Sequence, residues 1–214
     1  KPSSAASDVY KRQGRNDMRR LQYWLVLIVG IALIFSSCAK KDDSSSTTTT
    51  EVEGTWITNC YEHEPGYYYI DTLIVSGTDV THKTESHTDS SCSTDNGTWI
   101  DTYSSLSIGD EVTFVSGSTG HYFSVAVSTF TYTPTLASDV SAMNASSWCG
   151  YSNWTINTVK DYTGKTCGST SYSVANTTYL GLYMLVGNNL FVGDFSSTGN
   201  YPTSVYTAIP LVKQ

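Results

Sequence analysis

From Gly54 onward, apolar and polar residues alternate with a period of two, the pattern of strands that present two unlike faces. Thr, Val, Ile, Tyr, Phe and Trp dominate these runs, and Gly, Asn, Asp and Ser break them at short intervals. The pattern predicts strands over 55–60, 67–75, 80–88, 98–106, 112–115 and 122–133, then over 154–161, 178–186, 190–194 and 204–209. Gly187-Asn188-Asn189 separates two apolar runs and predicts a hairpin turn, because Gly and Asn tolerate positive φ. Residues 117–120 form a second loop by the same reasoning. One segment reads as helix, with Ser138 as N-cap and 139–146 as its body.

About ten strands with one short mid-chain helix make an all-β domain, either a barrel or a sandwich. Along 122–133 one face carries Tyr122, Ser124, Ala126, Ser128, Phe130 and Tyr132; the other carries Phe123, Val125, Val127, Thr129 and Thr131. Along 178–186, Leu180, Leu182, Met184 and Val186 oppose Tyr179, Gly181, Tyr183 and Leu185. Neither face is polar throughout. An antiparallel barrel with an aliphatic interior and an outside of amphipathic Tyr and Thr fits this pattern, and closure removes exposed sheet edges. A sandwich is the alternative.

The chain ahead of this domain has a different character. Residues 1–17 read as a translated non-native leader, and Met18-Arg19-Arg20 as the natural start. An apolar run over 24–35 follows, then Ser36-Ser37 and Cys38. A basic end, a short apolar core and small residues before a processing point make a secretory signal over 18–37. With a cysteine directly after it, Phe35-Ser36-Ser37-Cys38 resembles the lipobox of bacterial lipoproteins, with Phe35 where that family usually has Leu. The resemblance implies a lipid on Cys38 and attachment to the cell envelope, at the outer membrane. An uncut signal anchor is the competing reading, but the apolar run falls short of the roughly 20 residues that span a bilayer. Residues 38–53 are polar and of low complexity, a composition that cannot offset its ordering entropy by burial, and form a flexible tether. Residues 54–214 then form one domain.

Cysteines stand at 38, 60, 92, 149 and 167. A lipid on Cys38 leaves four, which allow three pairings. Sequential pairing, Cys60 with Cys92 and Cys149 with Cys167, is preferred because each bridge then closes one local excursion. No C-x-x-C pair and no zinc-finger spacing to histidine occurs, so a metal site is not expected. After Cys38 the cations are six lysines with no arginine, against all but two of the chain's 19 acidic residues. Nucleic-acid binding rests on clustered Lys and Arg, so this balance excludes it. It also argues against electrostatic attachment to anionic lipids, leaving the lipid anchor as the membrane contact.

Gly54-Thr55-Trp56 at the opening of the first strand resembles the Gly-x-Trp signature of lipocalins, in which the Trp closes one end of a barrel. Trp56, Cys60, Pro65-Gly66 and Cys92 together resemble the extracellular adenomatosis polyposis coli down-regulated family. Trp148-Cys149-Gly150 through Trp154, Lys160-Asp161, Gly164 and Cys167, and then 191–194 and 201–204, are similar to uncharacterised bacterial lipoproteins of barrel-like layout. The domain departs from true lipocalins in having no arginine to stack on the first Trp and no helix after the last strand. The resemblance implies a lipocalin-like barrel whose concave interior takes a lipid or acyl group.

The candidate wall for such a ligand is Trp56, Ile70, Phe123, Val125, Leu182 and Met184, with tyrosines nearby as polar groups. Catalytic patterns are wanting. His63-Glu64 starts a zincin motif, but Tyr67 stands where its second His must be, and no G-x-S-x-G elbow or glycine-rich phosphate loop occurs. The acids at Glu62 and Glu64 read as a solvated edge, and 89–97 as a turn pinned by Cys92. The chain is expected to be a monomeric binding module for a small apolar molecule, with no cofactor and no enzymatic activity. A packed adhesive barrel is the alternative. Stable anchoring at about 0.8 kcal/mol per buried methylene takes more than one acyl chain. Metabolic labelling with a fatty-acid probe is therefore expected to mark the protein and to be abolished in Cys38→Ser; label retained in that variant refutes the anchor.

Overall fold

The computed structural model describes residues 50–114, 116–195 and 199–214. The leader, the signal segment, Cys38 and most of the tether lie outside the described residues. The strands are β1 (Gly54–Ile57), β2 (Tyr61–Glu64), β3 (Tyr67–Ser76), β4 (Asp79–His87), β5 (Asp95–Thr113) and β6 (Thr119–Thr133). Helix α1 (Ala137–Ser146) and a 3-10 turn (Trp148–Gly150) follow. The short strands β7 (Lys160–Asp161), β8 (Thr166–Cys167) and β9 (Thr170–Ser171) lead to β10 (Thr178–Val186), β11 (Asn189–Val192) and β12 (Leu211–Lys213).

Eight of these strands close an antiparallel barrel in the order β1-β3-β4-β5-β6-β10-β11-β12 and back to β1. Neighbours around the barrel are successive barrel strands along the chain, an up-and-down meander. β2 adds to β3 outside the closed ring, and β7 takes the edge of β6 at Thr131 and Tyr132, past the reach of β10. The barrel replaces the sandwich alternative.

The strand pattern needs revision at several places. The runs 98–106 and 112–115 are one strand, β5, because bulges between Ser104 and Ser107 and between Ile108 and Glu111 absorb residues that read as a turn. Residues 154–161 contribute just β7, and 204–209 is not a strand. The barrel is closed instead by β12, too short to show a period. The helix begins at Ala137 behind Leu136, without a side-chain cap; Ser138 lies in the first turn and donates to Asp139. The Gly187–Asn188 hairpin turn is present, pairing Val186 with Asn189.

Two corrections concern which faces point inward. On β6, Thr102 pairs with Thr129 and Tyr103 with Val127, so Ser128 is an extra residue. This bulge reverses the alternation and puts Phe130 and Tyr132 on the same buried face as Phe123, Val125 and Val127. On β10 the inward residues are Tyr179, Gly181, Tyr183 and Leu185, while Leu182 and Met184 face outward yet are buried. On this outer side the Tyr201 ring lies 4.4 Å from that of Tyr122, the cross-strand partner of Leu182, and the N–H of Gly193 donates to Leu182 O. Ile70 likewise faces outward on β3, half-buried. Tyrosines thus fill the interior, where the sequence pattern placed aliphatics.

Cross-strand register stacks the interior in rungs. Val75, Val80, Tyr103 and Val127 form one; Leu73, His82, Asp101 and Phe130 the next; Asp71, Thr84, Trp99 and Tyr132 a third. Beyond the valine rung Val52, Val125 and Leu190 complete an apolar plug, and Trp56, which pairs with Leu73, joins it through its bond to Val52 O. Glycine makes room for two rings. A Cβ on Gly181 would stand 2.1 Å from the Phe123 ring, and one on Gly97 at the Tyr132 hydroxyl. Glycine inside a strand marks such close approach. Gly181→Val is expected to destabilise the domain by about 1–3 kcal/mol through overpacking against Phe123, measured by urea unfolding; an unchanged midpoint refutes the contact.

A candidate ligand cavity at the aromatic end of the barrel

A cavity of about 460 Å³ occupies the end of the barrel opposite the valine rung. Alternation along β3 brings Tyr69, Asp71 and Leu73 to its wall, while β5 supplies Trp99, Asp101 and Tyr103. His82 and Thr84 from β4 stand between them, and Phe130, Tyr179, Val192 and Leu211 complete the far side. The excursion between β6 and β10 covers the mouth with Trp148, Tyr162, Cys167 and Tyr172.

That cover is tied down by specific bonds. Tyr162 N–H donates to Phe130 O at 2.9 Å, and Phe130 N–H donates to the Thr163 hydroxyl at 2.8 Å. The Asn144 side chain grips Trp154 on both sides, accepting from its N–H at 2.6 Å and donating to its carbonyl at 3.0 Å. Trp154 and Trp148 pack on Tyr132 at 6.0 and 5.7 Å. Disulfides Cys149–Cys167 and Cys60–Cys92 close loops of sequence separation 18 and 32, the sequential pairing expected from the sequence. In the chain-entropy model each such loop contributes about 3–4 kcal/mol. Cys167 lines the cavity, and Cys60 directly precedes β2, whose Tyr61 and His63 line it too. The loop at Cys92 is held by the Asp89 carboxylate, which accepts from the N–H groups of Ser91, Ser93 and Thr94. It is a turn pinned at Cys92, as expected.

Asp71 is a well-ordered polar group in the wall. Its carboxylate accepts from Tyr61 Oη at 2.5 Å, Thr84 Oγ1 at 2.6 Å and His82 Nε2 at 3.2 Å. Burial pushes the Asp71 carboxyl upward, but the His82 hydrogen bond and charge, with the Thr84 and Tyr61 hydroxyls, overcome this and hold it well below the usual carboxylate range. An ionised carboxylate only accepts, so His82 Nε2 carries a proton. Asp194, at the rim beside Phe195, is shifted the other way, upward, by burial. Both hydroxyls beside Asp71 donate to the carboxylate, an arrangement that holds a negative charge. Among the described residues, no group of three or more His, Cys, Asp or Glu is placed to hold a metal ion.

None of the wall residues chosen from the sequence lines this cavity. Trp56 is buried in the apolar plug, its Nε1–H donating to Val52 O at 2.8 Å. Val125 is buried in the same region, and Phe123 backs the cavity at one remove, edge-on to Phe195 at 5.4 Å. Ile70, Leu182 and Met184 face outward. The residues that do form the wall had a signal in the sequence: Tyr69-Ile70-Asp71-Thr72 and Trp99-Ile100-Asp101-Thr102 repeat one pattern, an aromatic and an acid on the same face of a strand. An acid in the middle of an apolar strand, facing the same way as the ring before it, marks a polar interior.

Comparison with protein-family models and with curated proteins finds no match to this chain.

Asp71 gains its charge stabilisation on folding, so its contribution is fully present above the unfolded carboxyl value of about 4 and is lost as pH falls toward the depressed folded value. Asp71→Asn is expected to lower stability at pH 7 by about 1.5–3 kcal/mol, with the gap from the parent protein narrowing at pH 3. Urea unfolding at the two pH values checks this; a gap that stays constant refutes it.

Proposed function

We propose that this protein is a ligand-binding barrel tethered to the cell envelope, and that it encloses one small molecule with a large apolar or aromatic surface. The cavity carries this reading. Its volume falls within the roughly 300–1,000 Å³ of ligand pockets, and its wall combines many rings with a few fixed polar groups. An eight-stranded barrel is just wide enough either to be filled by its own side chains or to hold one ligand. Here the apolar plug fills one half and leaves the other open, which favours binding over the packed, adhesive alternative. The two disulfides at the rim reduce the ordering that binding costs.

Envelope placement and the anchor at Cys38 belong to the same proposal. Two disulfides suit an oxidising compartment outside the cytoplasm. The lipocalin-like reading gains support from the up-and-down order and from Lys213 on the last strand. Its Nζ lies 4.9 Å from the Trp56 ring centroid, so a lysine takes the place that arginine has in that family. The protein acts by binding and not by catalysis.

Titration of the purified full-length chain with the neutral dye Nile red is expected to give saturable fluorescence enhancement and to quench Trp99 and Trp148, which line the cavity. Val192→Trp, which projects a larger ring into the same space, is expected to weaken this binding at least tenfold with both disulfides intact. If neither Nile red, fatty acids nor lysolipids bind saturably, the reading fails.

A further inference from the structure

The apolar part of the cavity wall is made mostly of rings. Among the described residues that line it, Leu73, Val192, Ile209 and Leu211 are the aliphatic side chains, and aromatic residues supply the rest of the large apolar surface. These rings hold one another in place. Phe195 stacks on Tyr103 with centroids 5.6 Å apart and planes 5° apart, and Trp99 stacks on Tyr132 at 4.5 Å. Tyr172 meets Phe130 at 5.9 Å and Tyr162 at 4.5 Å. Aromatic side chains have few torsions, and contact with a second ring restrains them, so the wall presents flat faces at set angles before anything enters.

The polar patch around Asp71 in the same wall has its protons committed. Tyr61 Oη and Thr84 Oγ1 each donate to the Asp71 carboxylate, and His82 Nε2 lies 3.2 Å from it. A hydroxyl has one proton and two lone pairs, and an ionised carboxylate has lone pairs alone. Toward a ligand, Tyr61, Thr84 and Asp71 therefore act as acceptors. The Asp71 charge is itself met by three donors, so this patch asks for a proton to share and not for a cation.

Resting on the binding-barrel reading above, we infer that the ligand is an uncharged, planar, fused-ring molecule that carries an O–H or N–H group. Stacked and edge-on ring contacts add to what the buried area alone contributes, and an acyl chain forgoes them. A chain also loses rotamer freedom on confinement, which a rigid ring system does not. The acceptor patch fixes which way round the ring system lies. A site that hydrogen-bonds a ligand O–H or N–H rejects the analogue lacking it, because the site's own groups are then left unpaired. A fatty acid fails on both counts: its chain is flexible, and its ionised head only accepts. The wall thus narrows the expected lipid or acyl ligand to a different chemistry.

The test compares 2-naphthol, 2-methoxynaphthalene and 1-decanol. The first two share a ring system and differ in the hydroxyl proton; 2-naphthol and 1-decanol share a hydroxyl and the same number of carbon atoms but set rings against a chain. Isothermal titration of the purified full-length chain at pH 7, where 2-naphthol is uncharged, is expected to give 2-naphthol at least tenfold tighter binding than either of the others. Thr84→Val keeps the side-chain shape but removes the acceptor, and is expected to lower the preference for 2-naphthol over 2-methoxynaphthalene at least fivefold; Thr84→Ser, which keeps the hydroxyl, retains it. Phe195→Leu, at the rim and outside the barrel strands, is expected to lower the preference for 2-naphthol over 1-decanol at least threefold. Either comparison probe binding as tightly as 2-naphthol overturns the inferred ligand class while leaving the cavity's binding role standing. So does an unchanged preference in Thr84→Val or in Phe195→Leu, whose folds are checked by near-ultraviolet circular dichroism, and so does Nile red binding without 2-naphthol binding. Failure of all three probes together with Nile red, fatty acids and lysolipids overturns the binding role itself.

Discussion

The four residues of β1 hold the barrel shut by bonding along both edges. Gly54–Ile57 pair with Thr72–Val75 of β3 on one side, and Trp56 and Ile57 pair with Lys213 and Val212 of β12 on the other. Without that double pairing the sheet would be an open meander with two exposed edges and no inside. Closure gives each strand an inner and an outer face, and the bulges and the covering excursion matter only relative to it. Trp56 lies at this junction, its ring under the Lys213 ammonium and its N–H bonded to Val52 O, so the seam and the apolar plug are one structure. A single ring therefore joins the two ends of the domain's chain.

Inside the closed barrel the two halves have opposite chemistry. Valines and Leu190 pack the seam end, with Trp56 at the boundary beside Leu73, while the other end carries acids, histidines, hydroxyls and rings around open space. The boundary falls between the rung of Val75 and Val80 and that of Leu73, His82 and Asp101. A polar interior of this kind is tolerated because Asp71 is saturated by three donors and because the apolar half supplies the stability. The cover over the open half is equally specific. Tyr132 rests over Gly97 and carries Trp148 and Trp154 on its other side, so one strand glycine positions the ring on which the excursion is built.

The sequence by itself determined the all-β class of the fold and narrowed its covalent frame. Period-two alternation placed β3, β4, β6 and β10 within a residue or a few of their observed bounds, because long strands in a barrel must keep one face in and one out. Cysteine order favoured one of three pairings, the one observed, because each bridge then spans a short excursion. Only the tertiary structure decided which face of each strand is the inside. Ser128 is one residue too many for its partner strand, and no local pattern announces it; it turns Phe130 and Tyr132 inward and invalidates a strict reading of β6. Leu182 and Met184 read as an interior wall because they are aliphatic, yet they are buried on the outer face, where Tyr201 packs on Tyr122, the cross-strand partner of Leu182. The cavity wall was out of reach for a related reason: Asp71, His82 and Asp101 come from three strands, and the pairing register of β3, β4 and β5 makes them neighbours.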